Sequence, residues 1–149
     1  EEISSTIDIE EELEIPFEMK DKGSTKTVTR KSKVRTNQTV FRYKCLKRYH
    51  TKCAVCEVSE KSLLDAAHIY PKSKNGSDRA ENGIILCATH HRAFDDYLFG
   101  INPDTMVIVV SDKTKEAKLQ ITKKNINHLE KPPHQEPLNW KWKQFSKQG

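Results

Sequence analysis

The spacing of apolar residues predicts a helix over about 38–50. Apolar side chains recur there every three or four positions and share one face: Val40, Phe41, Cys45, Leu46 and Tyr49. Asn37 is the candidate N-cap, so the helix is expected to begin near Gln38 and to end near His50. Because Cys45 lies on the apolar face, we interpret it as a packing residue and not as a metal ligand.

The next apolar segments predict two strands and a second helix. Leu63–Tyr70 is typical of a strand that ends at Pro71, and a loop rich in turn-forming residues leads to a second strand, Ile84–Leu86. Thr89–Leu98 predicts a helix that stops near Gly100. The expected order is therefore strand, long loop, strand, helix.

Downstream, a hairpin and an aromatic tail are expected. The apolar run Met106–Val110 predicts a buried strand, with Lys118–Ile121 as its partner. Prolines then interrupt the chain before the segment Leu138–Phe145. Trp140 and Trp142 lie there among lysines, an arrangement that would suit DNA contact, but aromatic residues in a small protein more often complete the core. We therefore favour core packing for both tryptophans.

The composition describes a small and polar protein. With 149 residues, the chain has room for one domain with extensions. Only 35% of the residues are hydrophobic and 32% are charged, so the core is small and is expected to need a metal or a partner. No segment approaches the roughly 20 apolar residues that a membrane span requires. No signal-peptide pattern is present either, which favours a cytoplasmic protein.

The charge is unevenly distributed along the chain. Residues 1–22 hold nine acidic and two basic side chains, which leaves a net charge of +12 for residues 23–149. We interpret 1–23 as an acidic linker or the remnant of an upstream domain, 24–36 as a basic arm, and 37–149 as the functional domain. A basic domain of this kind attracts phosphate backbones, although lysine-rich surfaces also serve solubility alone.

Two ligand pairs have the spacing of a metal site. Cys53-x-x-Cys56 and Cys87-x-x-His90 together supply three thiolates and one imidazole, a set typical of structural zinc. Two disulfides would be the alternative in a secreted protein, and a thioredoxin-like redox site would be the alternative for a single CxxC pair. The matching Cys-x-x-His pair and the missing secretion signal favour a structural Zn²⁺.

Three polar residues stand between and beside these ligands: His68, Asn82 and His91. With them, four segments resemble the HNH endonuclease family, whose fold is called ββα-metal: CAVC, LLDAAHIYPKS, GSDRAENGIILC and HHRAFDDYLF. The resemblance covers about residues 53–100 and looks most like the branch common in bacterial restriction and defence proteins. It implies an α+β protein with a small zinc-stapled ββα-metal core, flanking helices and a C-terminal extension of hairpin and helix.

The resemblance also implies roles for individual residues. His68 would be the general base, Asn82 would fix the loop that orients it, and His91 would bind one catalytic divalent cation, Mg²⁺, Mn²⁺ or Ni²⁺. Asp95 follows His91 by four residues on the same helix face, so it is the candidate second ligand, with a solvated carboxylate or a partner of Arg92 as the alternatives.

One position departs from the family. Many relatives carry a metal ligand directly before the base histidine, and this chain has Ala67 there, with Asp65 as a candidate substitute. For His68 itself, the alternative is a histidine buried in a strand with a backbone partner. The order of His68, Asn82, His91 and the zinc half-sites favours the catalytic interpretation.

The sequence thus predicts a metal-dependent DNA endonuclease, interpreted as the nuclease part of a restriction or defence protein. Five basic residues are expected to contact DNA: Arg42, Lys47, Lys72, Lys74 and Arg92. An upstream specificity domain is a hypothesis from analogy, and a homodimer is compatible with the pattern. The alternatives are a non-catalytic zinc module that binds nucleic acid and a zinc-stabilised protein-interaction domain.

Overall fold

The computed structural model describes residues 15–21, 30–112 and 114–148, with the backbone alone for 30–36. The predicted acidic linker and basic arm therefore lie in large part outside the described residues. Beside three short 3-10 helices, the described residues form four α-helices and four strands, numbered in chain order: α1 Arg30–Tyr49, β1 Leu64–His68, β2 Gly83–Cys87, α2 Ala88–Asp95, β3 Phe99–Ile101, β4 Ile108–Val110, α3 Glu116–Leu119 and α4 Gln135–Ser146.

Helix α1 packs its apolar face on the hairpin that carries the site. Phe41, Cys45 and Tyr49 are buried, and the complete burial of Cys45 confirms it as a packing residue. A Cβ at Gly83 would lie 2.5 Å from the Cys45 sulfur, so the first residue of β2 must be glycine for the helix to approach this closely. The expected start near Gln38 is wrong, because the helix already begins at Arg30.

Strands β1 and β2 form an antiparallel hairpin that joins the two sets of candidate residues. Leu64 pairs with Cys87 at one end, and His68 pairs with Gly83 at the other. All five residues of β2 are buried, whereas in β1 only Leu64 and Ala67 are buried and the other three residues are partly exposed. The predicted order of strand, loop, strand and helix is therefore confirmed, with α2 following β2 directly.

The second hairpin differs from the prediction. Strand β4 pairs with β3, not with Lys118–Ile121, and part of that predicted partner lies in the short helix α3. The Asn102 side chain accepts hydrogen bonds from the backbone of Asp104 and Thr105, which stabilises a tight turn between β3 and β4. Local pairing across this turn therefore replaces the longer connection that we predicted. Strand β4 is also not fully buried, since Val109 is 38% exposed.

Helix α4 covers the end of the domain next to the second hairpin. Gly100 of β3 touches the Phe145 ring, and an added Cβ would lie 2.6 Å from it. Trp140 packs edge-on against Tyr70 with ring centroids 4.8 Å apart, and Trp142 packs against Phe145. Both tryptophans contact aromatic rings of the fold, but each is half-buried and neither belongs to the buried core that we expected them to complete.

Residues 15–21 lie along the loop that follows β1. The amide of Ser77 donates to the Met19 carbonyl at 2.8 Å, and the amide of Asp21 donates to the Asn75 carbonyl at 3.0 Å. The Asp21 carboxylate also accepts from Lys72 at 3.1 Å. This part of the acidic segment is therefore bound to the domain next to the candidate site.

Candidate active site and metal centre

The four predicted zinc ligands form one buried cluster. The ligand atoms of Cys53, Cys56, Cys87 and His90 all lie within 4.8 Å of one another. The Cys56 and Cys87 sulfurs are 3.9 Å apart, and His90 Nδ1 lies 3.2 Å from the Cys87 sulfur. Ligand sulfurs around a tetrahedral zinc ion are about 3.8 Å apart when each Zn–S bond is about 2.3 Å. The four cysteines are free thiols, so the disulfide alternative does not apply.

The protonation chemistry of the cluster also fits a cation. Burial raises the pKa of the Cys56 thiol to about 12, so this side chain resists ionisation when no metal is bound. At Cys53 burial also opposes the thiolate, but the hydrogen bond with His90 and backbone donors outweigh it and lower the pKa to about 7. Three buried thiolates need a divalent cation to offset their mutual repulsion. The cluster suits a structural zinc ion.

His90 is oriented by the backbone behind it. Its Nε2 lies 2.6 Å from the Leu119 carbonyl oxygen at the end of α3, which accepts the Nε2–H hydrogen bond. Nδ1 is therefore the nitrogen that faces the sulfurs: when protonated it donates to the Cys53 thiolate, and when deprotonated it could bind a metal. Helix α3 thus supports the metal centre, although the sequence predicted a strand at this place.

Asn82 holds the loop after β1 and does not reach the surface. Its side chain is completely buried, and its Nδ2 donates to the carbonyls of Tyr70 and Ser77 at 3.0 and 2.9 Å. Its Oδ1 accepts from the Tyr70 amide at 2.9 Å. One side chain therefore ties both ends of the loop that follows His68.

His68 is held from two sides. Its ring stacks on Phe41 with centroids 3.8 Å apart and an interplanar angle of 7°. Its Nε2 lies 2.9 Å from Asp78 Oδ1, and the second oxygen of Asp78 accepts from Lys72 at 2.7 Å. Burial opposes ionisation of Asp78, but the hydrogen bonds from His68 and Lys72 outweigh it and hold the pKa below its ordinary value. An ionised Asp78 accepts Nε2–H, which leaves Nδ1 of His68 to take a proton.

His91 stands between two carboxylates. Its Nδ1 lies 2.9 Å from Asp65 Oδ2, and its Nε2 lies 3.4 Å from Asp95 Oδ2. The structure thus brings both acidic candidates to the same imidazole, on opposite nitrogens. The three side chains are 31–55% exposed, so solvent and substrate can reach them.

Both histidine clusters line one open cavity of about 560 Å³. Its wall is formed by α1, β1, the following loop, α2 and α4, and it includes these residues: Phe41, Arg42, Asp65, His68, Lys72, His91, Asp95 and Lys141. The hairpin register and the helix α2 therefore bring His68 and His91 to one surface, even though 22 residues separate them in the sequence.

Comparison with known families agrees with this geometry. Residues 53–102 match the family model described as HNH endonuclease. The chain contains an HNH endonuclease domain. No curated protein matches the chain. The match spans the zinc cluster, His68, Asn82, His91 and Asp95, and it implies nuclease activity on a nucleic acid substrate.

The basic residues that we expected at the DNA surface of the HNH domain differ in their surroundings. Arg42 donates to the carbonyls of Leu64 and Lys61, and Lys72 donates to Asp78 and Asp21, so both cations already have partners inside the fold. The other three predicted contacts are exposed side chains: Lys47, Lys74 and Arg92. Arg42 and Lys72 therefore shape the site itself.

Sequence analysis missed two polar residues of the site: Asp78, which contacts His68, and Lys141, which lines the cavity. Asp78 lies in the loop before Asn82, in a run of polar residues with no spacing that singles it out. Lys141 lies in α4, far along the chain from every motif. Neither position carries a local signal, because only the tertiary fold brings them to the histidines. Within the described part of the chain, no helix is long and apolar enough to span a membrane.

Proposed function

We propose that this protein is a metal-dependent DNA endonuclease in which His68 is the general base and His91 with Asp95 holds one catalytic cation. The proposal includes the restriction or defence role, the upstream specificity domain and the homodimer expected from the sequence pattern. The observation that carries the catalytic part is the single cavity lined by His68, His91 and Asp95, with a carboxylate behind each imidazole.

The base needs a free nitrogen and a fixed ring. Asp78 accepts Nε2–H of His68, and the Phe41 ring limits rotation of the imidazole. Nδ1 then removes a proton from water, the resulting hydroxide attacks phosphorus, and the P–O3′ bond breaks. The products are a 5′-phosphate and a 3′-hydroxyl, with the leaving oxygen protonated by solvent.

The proposed cation site depends on which nitrogen of His91 carries the proton. Asp65 accepts Nδ1–H, which leaves the Nε2 lone pair beside Asp95. Two ligand atoms on one octahedral Mg²⁺ are about 3.0 Å apart, and the 3.4 Å separation of Nε2 and Asp95 Oδ2 is close to this value. A divalent cation held there would stabilise negative charge on the phosphate and on the leaving oxygen. Asp65 is then a residue that orients a ligand, not the substitute ligand considered for Ala67.

Cleavage of supercoiled plasmid tests the proposal. The wild type is compared with His68→Ala in Mg²⁺, Mn²⁺, Ni²⁺ or EDTA, and His128→Ala serves as the matched control, because His128 is exposed and outside the cavity. We expect metal-dependent cutting by the wild type and the control, with loss of cutting but retained DNA binding in His68→Ala. Normal cutting by His68→Ala would refute the assigned base. DNA binding without cutting by the wild type would favour the non-catalytic zinc module.

A further inference from the structure

Lys141 is a buried cation in the wall of the catalytic cavity. It projects from α4, outside residues 53–102, and it is only 5% exposed. It nevertheless lines the same cavity as His68, His91 and Asp95. A lysine in this position is unusual, because lysines are almost never fully buried unless they are paired.

The groups around the Lys141 ammonium replace only part of the hydration that it loses on burial. Its Nζ lies 4.6 Å from the Phe94 ring centroid and 4.5 Å from the Tyr97 ring centroid. Among the described residues, no carboxylate forms an ion pair with it. Burial lowers its pKa, and the nearby charge of Asp95 only partly opposes this effect. Two ring faces attract an ammonium group but accept no conventional hydrogen bond from it.

The other cationic side chains of the cavity wall already donate hydrogen bonds to oxygen atoms of the protein. Arg42 donates to two backbone carbonyls and Lys72 donates to Asp78 and Asp21. Lys141 is the cationic side chain of the described cavity wall whose donors are not taken by oxygen atoms of the protein. A phosphate entering beside His91 would supply both the oxygen acceptors and the negative charge that this ammonium lacks.

The aromatic side chains beside Lys141 are positioned by the end of α2. Tyr97 follows the C-cap Asp96 with a φ of 58°, the left-handed conformation common directly after a helix. The amide of Leu98 donates to the Ala93 carbonyl, and the amide of Tyr97 donates to the Phe94 carbonyl. This turn therefore places the Tyr97 ring next to the cation site of the proposed nuclease and beside Lys141.

We infer that Lys141 is a catalytic residue that donates a hydrogen bond to a non-bridging oxygen of the scissile phosphate. The ammonium stabilises the charge that accumulates as hydroxide attacks, while the aromatic rings hold it in place without neutralising it. This inference rests on the proposed nuclease function, and it adds a residue from outside the matched segment. The opposing interpretation is that Lys141 only anchors α4 on α2 through its ring contacts.

Two substitutions at Lys141 and one matched control separate these interpretations. Lys141→Met keeps the length and the apolar contacts, Lys141→Arg keeps the charge, and Lys143→Met removes an exposed lysine from the same helix. The single-turnover cleavage rate of plasmid is measured at saturating protein, beside DNA affinity by gel shift without added divalent cation, melting temperature and zinc content.

For a phosphate-binding role, we expect Lys141→Met to lower the cleavage rate by about 10²-fold, the cost of removing one donor to a developing oxyanion. Lys141→Arg should retain part of the rate, and Lys143→Met should cut normally. DNA affinity and melting temperature should change little, because the effect is on the reaction step. Cutting by Lys141→Met at the wild-type rate would overturn the inference and leave the nuclease function intact. A wild type that cuts with no metal would instead overturn the proposed function, and this inference with it.

Discussion

Asp78→Asn tests how His68 obtains its free nitrogen. In the wild type, one oxygen of Asp78 faces His68 Nε2 at 2.9 Å and the other faces Lys72 Nζ at 2.7 Å. An ammonium group can only donate, so the carboxamide oxygen of the variant must turn toward Lys72 and its NH₂ toward His68. Nε2 then has to accept, which moves the imidazole proton to Nδ1. The nitrogen that should take a proton from water is no longer available.

The size of this effect follows from the role of the base. General-base catalysis contributes about 10²–10⁴-fold, and a carboxylate-to-carboxamide change that fixes the wrong tautomer removes about 10⁴-fold. We therefore expect Asp78→Asn to lower the single-turnover cleavage rate by about 10²–10⁴-fold. DNA affinity should be nearly unchanged, because the carboxylate is paired inside the protein and 23% exposed.

The assay is plasmid cleavage with the metal that supports the wild type, with Asp112→Asn as the control, because Asp112 is an exposed carboxylate away from the cavity. Removing Lys72 together with Asp78→Asn sharpens the test. In the double variant with Lys72→Met, the carboxamide is free to turn its oxygen toward His68, so part of the rate should return. Wild-type cutting by Asp78→Asn would refute the tautomer argument. A double variant no faster than the single one would refute the orienting role of Lys72.

Three further predictions concern the metal sites and acid stability. Cys87→Ser should lose zinc and lower the free energy of unfolding by about 3 kcal/mol or more, measured by metal analysis and denaturant melts. The control Cys45→Ala should keep its zinc. Equal zinc content in the wild type and Cys87→Ser would contradict the proposed zinc site. Asp65→Ala should raise the Mg²⁺ concentration for half-maximal cleavage by about 10–100-fold, with the rate partly restored at high Mg²⁺; an unchanged metal requirement would show that Asp65 does not orient His91. Because the pKa of Asp78 is lowered by folding, its ionised form stabilises the protein above about pH 4, and this contribution disappears as the pH falls through the lowered pKa. The melting temperature of Asp78→Asn should therefore fall less on acidification than that of the wild type, and parallel curves would contradict this.

The parts of the site that the sequence predicted correctly depend on residues that are close together in the chain. The spacing of Cys53 and Cys56, and of Cys87 and His90, places each pair on one turn, so the cluster could be predicted before the fold was known. The short apolar runs on both sides of the turn-rich loop also predicted the first hairpin, and all five residues of β2 are buried. A one-residue shift in register would have moved His68 to the other face.

The features that the sequence analysis missed depend on tertiary contacts that the local sequence pattern does not determine. The sequence analysis paired Met106–Val110 with Lys118–Ile121, whereas β4 pairs with β3 across the turn at Asn102. Helix α1 extends back to Arg30 through a basic and polar stretch that shows no apolar periodicity, so its start was not visible. Asp78 reaches His68 only through the packing of a loop, and Lys141 reaches the cavity only through the packing of α4. Lysine in an amphipathic helix most often indicates an exposed face.

In the proposed enzyme, the consecutive residues His90 and His91 would separate the structural zinc from the catalytic cation. Successive side chains on a helix point about 100° apart, so His90 faces the buried thiols while His91 faces the open cavity. The two imidazoles are oriented by different acceptors. His90 Nε2 contacts the Leu119 carbonyl, whereas His91 Nδ1 contacts the Asp65 carboxylate. A carbonyl suits a site whose charge the thiolates already balance, whereas a carboxylate increases the basicity of a ligand in a water-filled site. A zinc ion held by Cys87 and His90 would anchor the first turn of α2 and thereby set the direction of His91 and Asp95. Loss of zinc should therefore abolish cleavage, although the four zinc ligands are buried and do not line the cavity.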